Sequence, residues 1–203
     1  MGPVLDLFDA AFLINADRDK ARLDEAVLEL ARVGIEAERF AAITNARGNG
    51  NVRPEELGLT QSHSAVIETA RQRGYTSVLI LEDDVIFRDD FHDRWASIFS
   101  RIQPLTYDLL YFYDWHGTEQ NGDPRLVNIS GTLCTHAYAV SSRYYATYLL
   151  ALQNYQQLGA VDQILLRLPA EKWAIVPNLV GQRGGTSTVY NCARSLRWSA
   201  VDG

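Results

Sequence analysis

An apolar run that ends in three carboxylates constrains the fold of this chain more than any other feature. Residues 78–81 read Val-Leu-Ile-Leu, and Glu82, Asp83 and Asp84 follow without a spacer. An unbroken apolar run with two β-branched residues is typical of a central strand that is covered on both faces. Helices on both sides of a sheet provide such cover. The run therefore predicts an α/β fold with carboxylates at the end of a buried strand.

Strand-like and helix-like segments alternate along the rest of the sequence. We predict further strands at residues 11–14, 38–43, 109–113, 135–140 and 174–176. We predict helices from residue 19 to Gly34 and at residues 60–73, 90–102, 143–152 and 161–168. This alternation implies one domain with a mostly parallel central sheet flanked by helices.

The periodicity of the first two helices predicts which residues face the core. In the first helix Leu23, Val27, Leu30 and Ala31 share one face, and Gly34 is placed to end the helix. In the second helix Val66, Ile67 and Ala70 are expected to point inward, with Gly74 at the end. Residues 44–56 are rich in Asn, Gly and Arg and are expected to form a mobile loop, and residues 182–188 a glycine-rich loop.

Polar residues follow three of the predicted strands directly. They are residues 15–18, the triplet at residues 82–84, and Asp114. Ligands of α/β sheets bind beyond the carboxyl ends of the strands. These residues are therefore expected to meet in one site.

Charge and cysteine content exclude several classes of function. The formal net charge is −6, with Lys and Arg scattered along the chain, which argues against a nucleic-acid partner. An acidic protein still binds a diphosphate where a divalent cation neutralises it locally. Cys134 and Cys192 are the only cysteines, too few for a four-cysteine zinc site or a disulfide framework, and we expect two free thiols.

The apolar stretches are short. None approaches the ~20 residues that a transmembrane helix requires. The first residues carry Asp6 and Asp9 and no basic segment, so they do not resemble a signal peptide. The sequence thus predicts a cytoplasmic protein without a transmembrane segment.

The acidic triplet has two interpretations. In an extended strand Glu82 and Asp84 point to one side and Asp83 to the other. Two carboxylates at that spacing hold a hard divalent cation such as Mn²⁺ or Mg²⁺ and leave positions open for phosphate oxygens. The alternative is a solvated acidic turn that caps a helix. The triplet alone favours neither interpretation.

Several segments, in order along the chain, resemble glycosyltransferase family 25, enzymes of lipopolysaccharide sugar assembly with relatives that galactosylate collagen. Residues 81–85 (Leu-Glu-Asp-Asp-Val) match the family's LEDDV signature without change. Residues 56–63 resemble EIGCxxSH, with Leu59 in place of Cys. Residues 135–141 are similar to THGYLIS, with Ala137 in place of Gly.

Weaker matches flank these three. Residues 14–18 with Arg22 resemble the family's opening strand and its NL-x-R…R continuation. Residues 161–162 resemble its P-x-D position, and residues 176–177 with Gln182 and Ser187 its closing segment. Because the segments occur in the family's order, the resemblance favours the metal-binding interpretation of the triplet.

The resemblance implies a GT-A fold, a UDP-sugar donor with galactose as the expected sugar, and Mn²⁺ or Mg²⁺ at a D-x-D-type motif. Asp84 would be the main metal ligand and Glu82 the other, with Asp83 beside the nucleotide. It also implies a glycan or lipopolysaccharide acceptor, and with it peripheral contact with the inner membrane. Asn15, Arg18 and Arg22 would hold the nucleotide, since arginine offers phosphate two parallel hydrogen bonds.

Enzymes of this family are expected to invert the anomeric centre with a carboxylate base. Asp162 matches the P-x-D position and is the candidate, while its place at a predicted helix start suits an N-cap equally well. Asp114 is the second candidate for the base.

Two histidines fall within matched motifs. We expect Ser62 and His63 in the first turn of their helix, where backbone N–H groups favour an anion such as the diphosphate. The alternative is that both only cap that turn. His136, in a predicted strand, is either a half-buried core histidine or a ligand.

Two other functions remain open. A sugar nucleotidyltransferase is also α/β and metal-dependent, but it usually has a glycine-rich loop after its first strand, and residues 15–22 contain no glycine. A non-catalytic GT-A-fold binding protein is the other alternative. No histidine follows His136 to act as a further metal ligand, so Asn178, Gln182 or water would have to replace it.

Overall fold

The computed structural model describes residues 4–47, 52–116, 122–153, 160–187 and 192–194. The strands are β1 (Ala10–Asn15), β2 (Glu38–Ala41), β3 (Ser77–Glu82), β4 (Val85–Phe87), β5 (Leu109–Tyr111), β6 (Arg125–Asn128), β7 (Ala137–Ser141), β8 (Lys172–Val176), β9 (Val180–Gln182), β10 (Gly185–Ser187) and β11 (Cys192–Arg194). The helices are α1 (Lys20–Arg32), α2 (Pro54–Gln72), α3 (Phe91–Ile102), α4 (Ser142–Gln153) and α5 (Val161–Arg167), after a short 3-10 turn at Val4–Leu7.

Seven of these strands form the central sheet, in the order β2-β1-β3-β7-β5-β8-β6. Strands β1, β2 and β3 are parallel, and β5 and β8 are parallel. Strand β7 runs antiparallel to both β3 and β5, and β6 runs antiparallel to β8. Five of the seven strands therefore point the same way, which confirms the predicted α/β class with a mostly parallel sheet.

Strand β3 is covered on both faces, as its continuous apolar sequence predicts. Leu79 and Leu81 belong to the apolar cluster that contains residues of α1 and α3. Val78 and Ile80 belong to the opposite cluster, with residues of α2, α4 and α5. All four side chains are fully buried. At roughly 1.5–3 kcal/mol for each buried aliphatic side chain, this strand contributes strongly to stability.

The inward face of α1 differs from the predicted one. Ala26, Leu30 and Val33 are buried, whereas Val27 is 51% exposed and Ala31 is exposed. Residues 26, 30 and 33 follow the helical spacing of four and three, as do 23, 27 and 30, so both faces fit the sequence. The sheet packs against the first of them.

Helix α2 begins earlier than predicted. It starts at Pro54, inside the predicted loop, because proline is favoured at the first helical position. The backbone N–H of Arg53 also donates to the Glu56 carboxylate at 3.1 Å. Residues 48–51 of that predicted loop lie outside the described residues. Val66, Ile67 and Ala70 are fully buried, as predicted.

Both glycines predicted to end helices do so. Gly34 has φ +69° and Gly74 has φ +73°, values of the left-handed region in which a Cβ is unfavourable. Among the described helices, none combines the length and apolarity needed to cross a membrane.

Three short pairings were not predicted from the sequence. Strand β4 pairs with β9, and β10 pairs with β11. The third pairing is that of β6 with β8 at an edge of the central sheet, and all three are antiparallel. The sequence predicts residues 174–176 as the last strand and residues 182–188 as a loop. Both predictions are wrong, because β9 ends at Gln182 and β10 spans Gly185–Ser187, while residue 188 lies outside the described residues. Strands of three or four residues leave too little periodicity to identify. The β4–β9 pair brings the segment after β8 beside the acidic triplet.

Candidate functional site

A cleft opens at the carboxyl ends of β1 and β3. These strands are adjacent and parallel, with Ile14 paired to Glu82, so the residues that follow each strand meet at one edge of the sheet. The predicted site residues that line the cleft are Asn15, Arg18, Arg22, Glu82, Asp83, Asp84 and Asp162. Thr135, His136, Gln182 and the two glutamates at the start of α2, Glu55 and Glu56, line it as well.

Asp83 joins the ends of β1 and β3. Its carboxylate accepts a hydrogen bond from Nδ2 of Asn15 at 2.7 Å and forms a close ion pair with Nη2 of Arg22. The same Arg22 nitrogen lies 3.4 Å from Oδ2 of Asp84. The predicted alternation of the triplet is therefore wrong beyond Glu82. Strand β3 ends there and the chain turns, so both aspartates reach one guanidinium group.

Asn15 is oriented by a residue that sequence reasoning missed. Arg39, on the neighbouring strand β2, donates from Nε and Nη2 to Oδ1 of Asn15 at 3.3 and 3.2 Å, and pairs with Asp17 at 2.5 Å. Because Arg39 holds the amide oxygen, the amide nitrogen of Asn15 faces Asp83. Only the β1–β2 register reveals this contact. Arg18, by contrast, is largely exposed at the rim of the cleft.

Asp84 carries an unsatisfied oxygen. Its Oδ2 accepts a hydrogen bond from Nε2 of Gln182 at 2.9 Å, while its buried Oδ1 has no partner among the described residues. Burial and the nearby Glu82 raise the pKa of Asp84 to about 6, against the attraction of Arg22. Burial also raises the pKa of Asp83 to about 6, with Arg22 and Asn15 opposing the rise and Asp84 adding to it.

Glu82 differs from its two neighbours. Burial acts to raise its pKa, but the neighbouring His63 and a hydrogen bond from Thr135 stabilise the carboxylate, and its pKa is lowered overall. The Thr135 hydroxyl donates to Oε1 of Glu82 at 3.0 Å. Nε2 of His63 lies 3.3 Å from the same oxygen. The triplet thus combines one stabilised carboxylate with two that are costly to ionise.

The expected position of Ser62 and His63 in a first helical turn is wrong. Because α2 begins at Pro54, both residues lie in its middle, and both are fully buried behind the cleft. The Ser62 hydroxyl donates to the carbonyl of Gly58 at 2.7 Å and accepts the backbone N–H of Ile43 at 2.8 Å. Neither side chain lines the cleft, so neither is placed to bind a diphosphate directly.

Asp162 is the second residue of α5, and Ala160 is the N-cap. Its carboxylate accepts the backbone N–H of Gln163 at 2.7 Å and is also stabilised by the backbone N–H of Cys134. Burial nevertheless raises its pKa. Asp162 is therefore not the N-cap, and its partly buried carboxylate lines the cleft.

Asp114 and Asn178 lie away from the cleft. Asn178 accepts the backbone N–H of Asp114 at 2.8 Å and donates to its carbonyl at 3.1 Å. The Asp114 carboxylate accepts the backbone N–H of His116 at 3.1 Å. Both side chains stabilise the chain after β5, and neither lines the cleft. Asn178 and Gln182 are the two residues considered as substitute metal ligands. Of these, only Gln182 is next to Asp84.

His136 is a buried histidine at the wall of the cleft. Neither ring nitrogen has a hydrogen-bond partner among the described residues, and the ring packs edge-on against Tyr113 at 4.6 Å. Burial lowers the pKa of His136 to about 4, although Glu82 acts to raise it. The imidazole is therefore neutral near pH 7.

The donor set fits a hard divalent cation better than zinc. Among the described residues, no three His, Cys, Asp or Glu side chains are grouped to enclose a metal, as a closed zinc site requires. Mg²⁺ and Mn²⁺ need only one or two carboxylates, with water and phosphate oxygens completing the shell. Asp84, with its unpartnered oxygen, and Glu82 meet that requirement.

Comparison with known proteins identifies relatives. A family model described as "Glycosyltransferase family 25 (LPS biosynthesis protein)" matches residues 8–149. The mouse protein "Inactive glycosyltransferase 25 family member 3" is 33% identical over 190 residues, covering 78% of this chain and 31% of its own length. The human protein of the same name is 32% identical over 117 residues, covering 54% of this chain and 20% of its own. The chain spans less than a third of either relative.

Solved structures of similar shape are distant in sequence. A197 from STIV has a TM-score of 0.47 at 12% identity, with 86% of this chain and 84% of that chain covered. A glycosyltransferase involved in glycosylation of the major capsid of PBCV-1 has a TM-score of 0.43 at 12% identity, with 73% and 68% covered.

Proposed function

The chain belongs to glycosyltransferase family 25, and we propose that it transfers a sugar from a nucleotide-sugar donor to a hydroxyl group of a glycan or lipopolysaccharide acceptor. One observation carries the proposal. Two carboxylates with raised pKa values, two arginines and a carboxylate on a separate helix all line one cleft at the carboxyl ends of parallel strands. This is where ligands of α/β sheets bind.

The donor side of the proposed reaction is the acidic triplet. Glu82 and Asp84 would hold Mn²⁺ or Mg²⁺, which when bound stabilises the negative charge of the departing diphosphate. Asp83 holds Arg22 beside Asp84, through the ion pair described above and the 3.4 Å approach of the same nitrogen to Oδ2 of Asp84. Arg18, whose exposed side chain lies at the rim with Nε 3.8 Å from the Asp19 carboxylate, would turn toward a phosphate. Asn15 contributes by holding Asp83 in place.

The acceptor side is Asp162. A general base must remove the proton of the attacking hydroxyl group, and a higher pKa makes a carboxylate a stronger base. Burial supplies that rise here, and the side chain lines the same cleft as the triplet from a different helix. A base opposite the leaving diphosphate supports transfer with inversion of the anomeric centre.

The finer assignments extend the family's chemistry to this chain. We take UDP-galactose with Mn²⁺ or Mg²⁺ as the donor to test first. We also propose a cytoplasmic location, with peripheral contact at the inner membrane where lipopolysaccharide is the acceptor. The curated relatives are much longer than this chain, so the activity and partners of a whole protein are part of the proposal too.

A non-catalytic role is the second candidate. The relatives named above are called inactive, and they match this chain at 32–33% identity. A member that binds donor without turning it over would keep the triplet and still show metal-dependent binding. The two candidates therefore differ in turnover and agree in binding.

The test separates these possibilities. Thermal stability is measured with UDP, UDP-galactose and a free nucleoside triphosphate, each with Mn²⁺ and with EDTA, and release of UDP is measured in parallel. Stabilisation by UDP-galactose only with Mn²⁺, together with UDP release, is expected. Stabilisation without UDP release would identify the non-catalytic candidate, and a preference for the triphosphate would identify a nucleotidyltransferase. No stabilisation by any nucleotide would refute the proposal.

A further inference from the structure

Polar side chains cross the apolar interior in a line that ends on Glu82. Tyr148 on α4, Tyr138 on β7 and His63 on α2 are fully buried. The two tyrosine hydroxyl oxygens are 2.7 Å apart, and the Tyr138 hydroxyl lies 2.9 Å from Nδ1 of His63. On the other side of the ring, Nε2 of His63 lies 3.3 Å from Oε1 of Glu82. Three elements of the fold are thus linked to one carboxylate of the cleft.

Packing alone does not require these hydroxyl groups. Phenylalanine has nearly the volume of tyrosine, and a buried hydroxyl group costs free energy unless it is hydrogen-bonded. Tyr111 and Tyr145 lie in the same apolar cluster, and their hydroxyl groups have no partner among the described residues. The hydroxyl groups of Tyr138 and Tyr148 differ because they bond to each other, and Tyr138 also bonds to His63.

The carboxylate decides the direction of these hydrogen bonds. If Nδ1 of His63 carried the only ring proton and donated to Tyr138, the lone pair of Nε2 would face the Glu82 carboxylate, which is repulsive. If the Tyr138 hydroxyl donates to Nδ1, the ring proton is on Nε2, the nitrogen nearest the Glu82 carboxylate, where a proton is electrostatically favoured over a lone pair. Tyr138 then accepts from Tyr148. Each hydroxyl group then donates to the next acceptor, and protonated Nε2 of His63 lies 3.3 Å from the negative Oε1 of Glu82, an electrostatic contact without the geometry of a hydrogen bond.

We propose that Tyr148 and Tyr138 hold His63 in the tautomer that carries its proton on Nε2, and that His63 in turn fixes the Glu82 carboxylate in the cleft. The three are positioning residues, since none of them lines the cleft. Glu82 receives a second donor from Thr135 on the same Oε1, so that oxygen is held from two directions. This leaves the orientation of the whole carboxylate defined before any ligand arrives.

The tautomer is tested without reference to activity. Nitrogen-15 NMR at pH 8 reports which ring nitrogen of a histidine is protonated, and a His63→Gln variant assigns the His63 signals among the four histidines. The expected result is a proton on Nε2 in the wild type and a shift toward the Nδ1 tautomer in Tyr138→Phe. A proton on Nδ1 in the wild type, or protons on both nitrogens at pH 8, would overturn the proposal.

Ligand binding tests whether the positioning matters, and this part rests on the proposed function. Affinity for UDP with Mn²⁺ is measured calorimetrically in Tyr138→Phe and Tyr148→Phe. Loss of a group that orients a metal ligand weakens metal-dependent binding about 10- to 100-fold. Tyr111→Phe and Tyr145→Phe are matched controls, since each removes a buried hydroxyl group that has no hydrogen bond among the described residues. The controls are expected to bind as the wild type does.

The outcomes of the two experiments are distinct. Wild-type affinity in both Tyr138→Phe and Tyr148→Phe, or equal losses in the two controls, would overturn the positioning role. A wild type that binds no UDP with Mn²⁺ would refute the proposed function, while the NMR result still decides the tautomer.

Discussion

Gln182 and Asp84 are joined by a 2.9 Å hydrogen bond although 98 positions separate them in the sequence. The β4–β9 pair makes this possible, because Val85 pairs with Gln182 directly beside the triplet. The next residue strengthens the connection, since the backbone N–H of Arg183 donates to the carbonyl of Asp84 at 2.7 Å and its side chain pairs with Glu25 of α1 at 2.6 Å. Asp84 is thus held from the far end of the described chain.

The first prediction concerns activity at Asp84. Asp84→Asn is expected to lower sugar transfer at least ~100-fold, because removing one preorganised electrostatic group at a reacting centre typically has that effect. UDP release is measured in saturating Mn²⁺, and circular dichroism checks the fold. Asp24→Asn, an exposed change on α1, is the control. Wild-type turnover in Asp84→Asn, or in the wild type with excess EDTA, would contradict metal-dependent catalysis.

The second prediction concerns stability and pH without metal. The pKa values of Asp83 and Asp84 are raised to about 6 in the folded state, so between their unfolded value near 3.8 and pH 6 the folded protein binds more protons. Stability from these groups therefore falls as pH rises through that window. Asp84→Asn removes much of this cost. The melting temperature of Asp84→Asn is therefore expected to rise relative to that of the wild type as the pH increases from 4.5 to 7.

Melting curves at several pH values in EDTA check this, and Mn²⁺ is expected to shrink the difference by stabilising the wild type. A gap between the two proteins that is constant with pH would contradict the raised pKa values. Glu29 and Asp90, whose pKa values are lowered, contribute stability that is lost as pH falls through and below their unfolded values, and both are shared by the two proteins.

The third prediction concerns the base. Asp162→Asn is expected to lower turnover by roughly 10²–10⁴-fold, the usual contribution of a positioned general base, with UDP affinity unchanged. Turnover and calorimetric binding are measured on the same preparation. Asp162→Asn keeps an oxygen that can accept the N–H groups of Gln163 and Cys134, so the fold should persist. Equal loss of binding and turnover would instead assign Asp162 to the donor side.

The fourth prediction concerns Gly58, in the EIGCxxSH-like segment. A Cβ at this position would lie 2.1 Å from the backbone oxygen of Ile43, which no side-chain rotation can relieve. Gly58→Ala is therefore expected to lower the free energy of unfolding by about 1–3 kcal/mol, the usual cost of overpacking. Denaturant unfolding measures it, with Ser64→Ala on the same helix as control. A free energy of unfolding equal to that of the wild type would mean that α2 and the backbone at Ile43 can move apart at no cost and relieve the clash.

Part of this architecture could be predicted from the sequence, and the reasons are local. Strand β3 is predictable because four apolar residues precede three charged ones. Helix α2 is predictable because Val66, Ile67 and Ala70 have helical spacing. The sequence does not predict the N-terminus of α2 at Pro54, because the polar residues before it resemble a loop. It therefore also does not predict that His63 lies in the middle of the helix.

What depends on distant neighbours could not be predicted. Arg39 reaches Asn15 only through the register of β1 and β2, and Gln182 reaches Asp84 only through a strand pair of three residues. Neither leaves a periodic signal. The motif resemblance indicates Gln182 only as part of a segment, and its contact with Asp84 depends on a strand pairing that no local pattern predicts.

The order of strands in the sheet has a consequence for synthesis. Strand β3 lies between β1 and β7, so when β3 leaves the ribosome one of its edges has no neighbour until residues 137–141 have been made. At about 5–20 residues per second, that interval lasts on the order of several seconds. During it, this largely apolar strand presents open backbone hydrogen-bonding groups, the condition under which nascent chains aggregate. Chaperone demand should therefore be highest between the synthesis of β3 and that of β7.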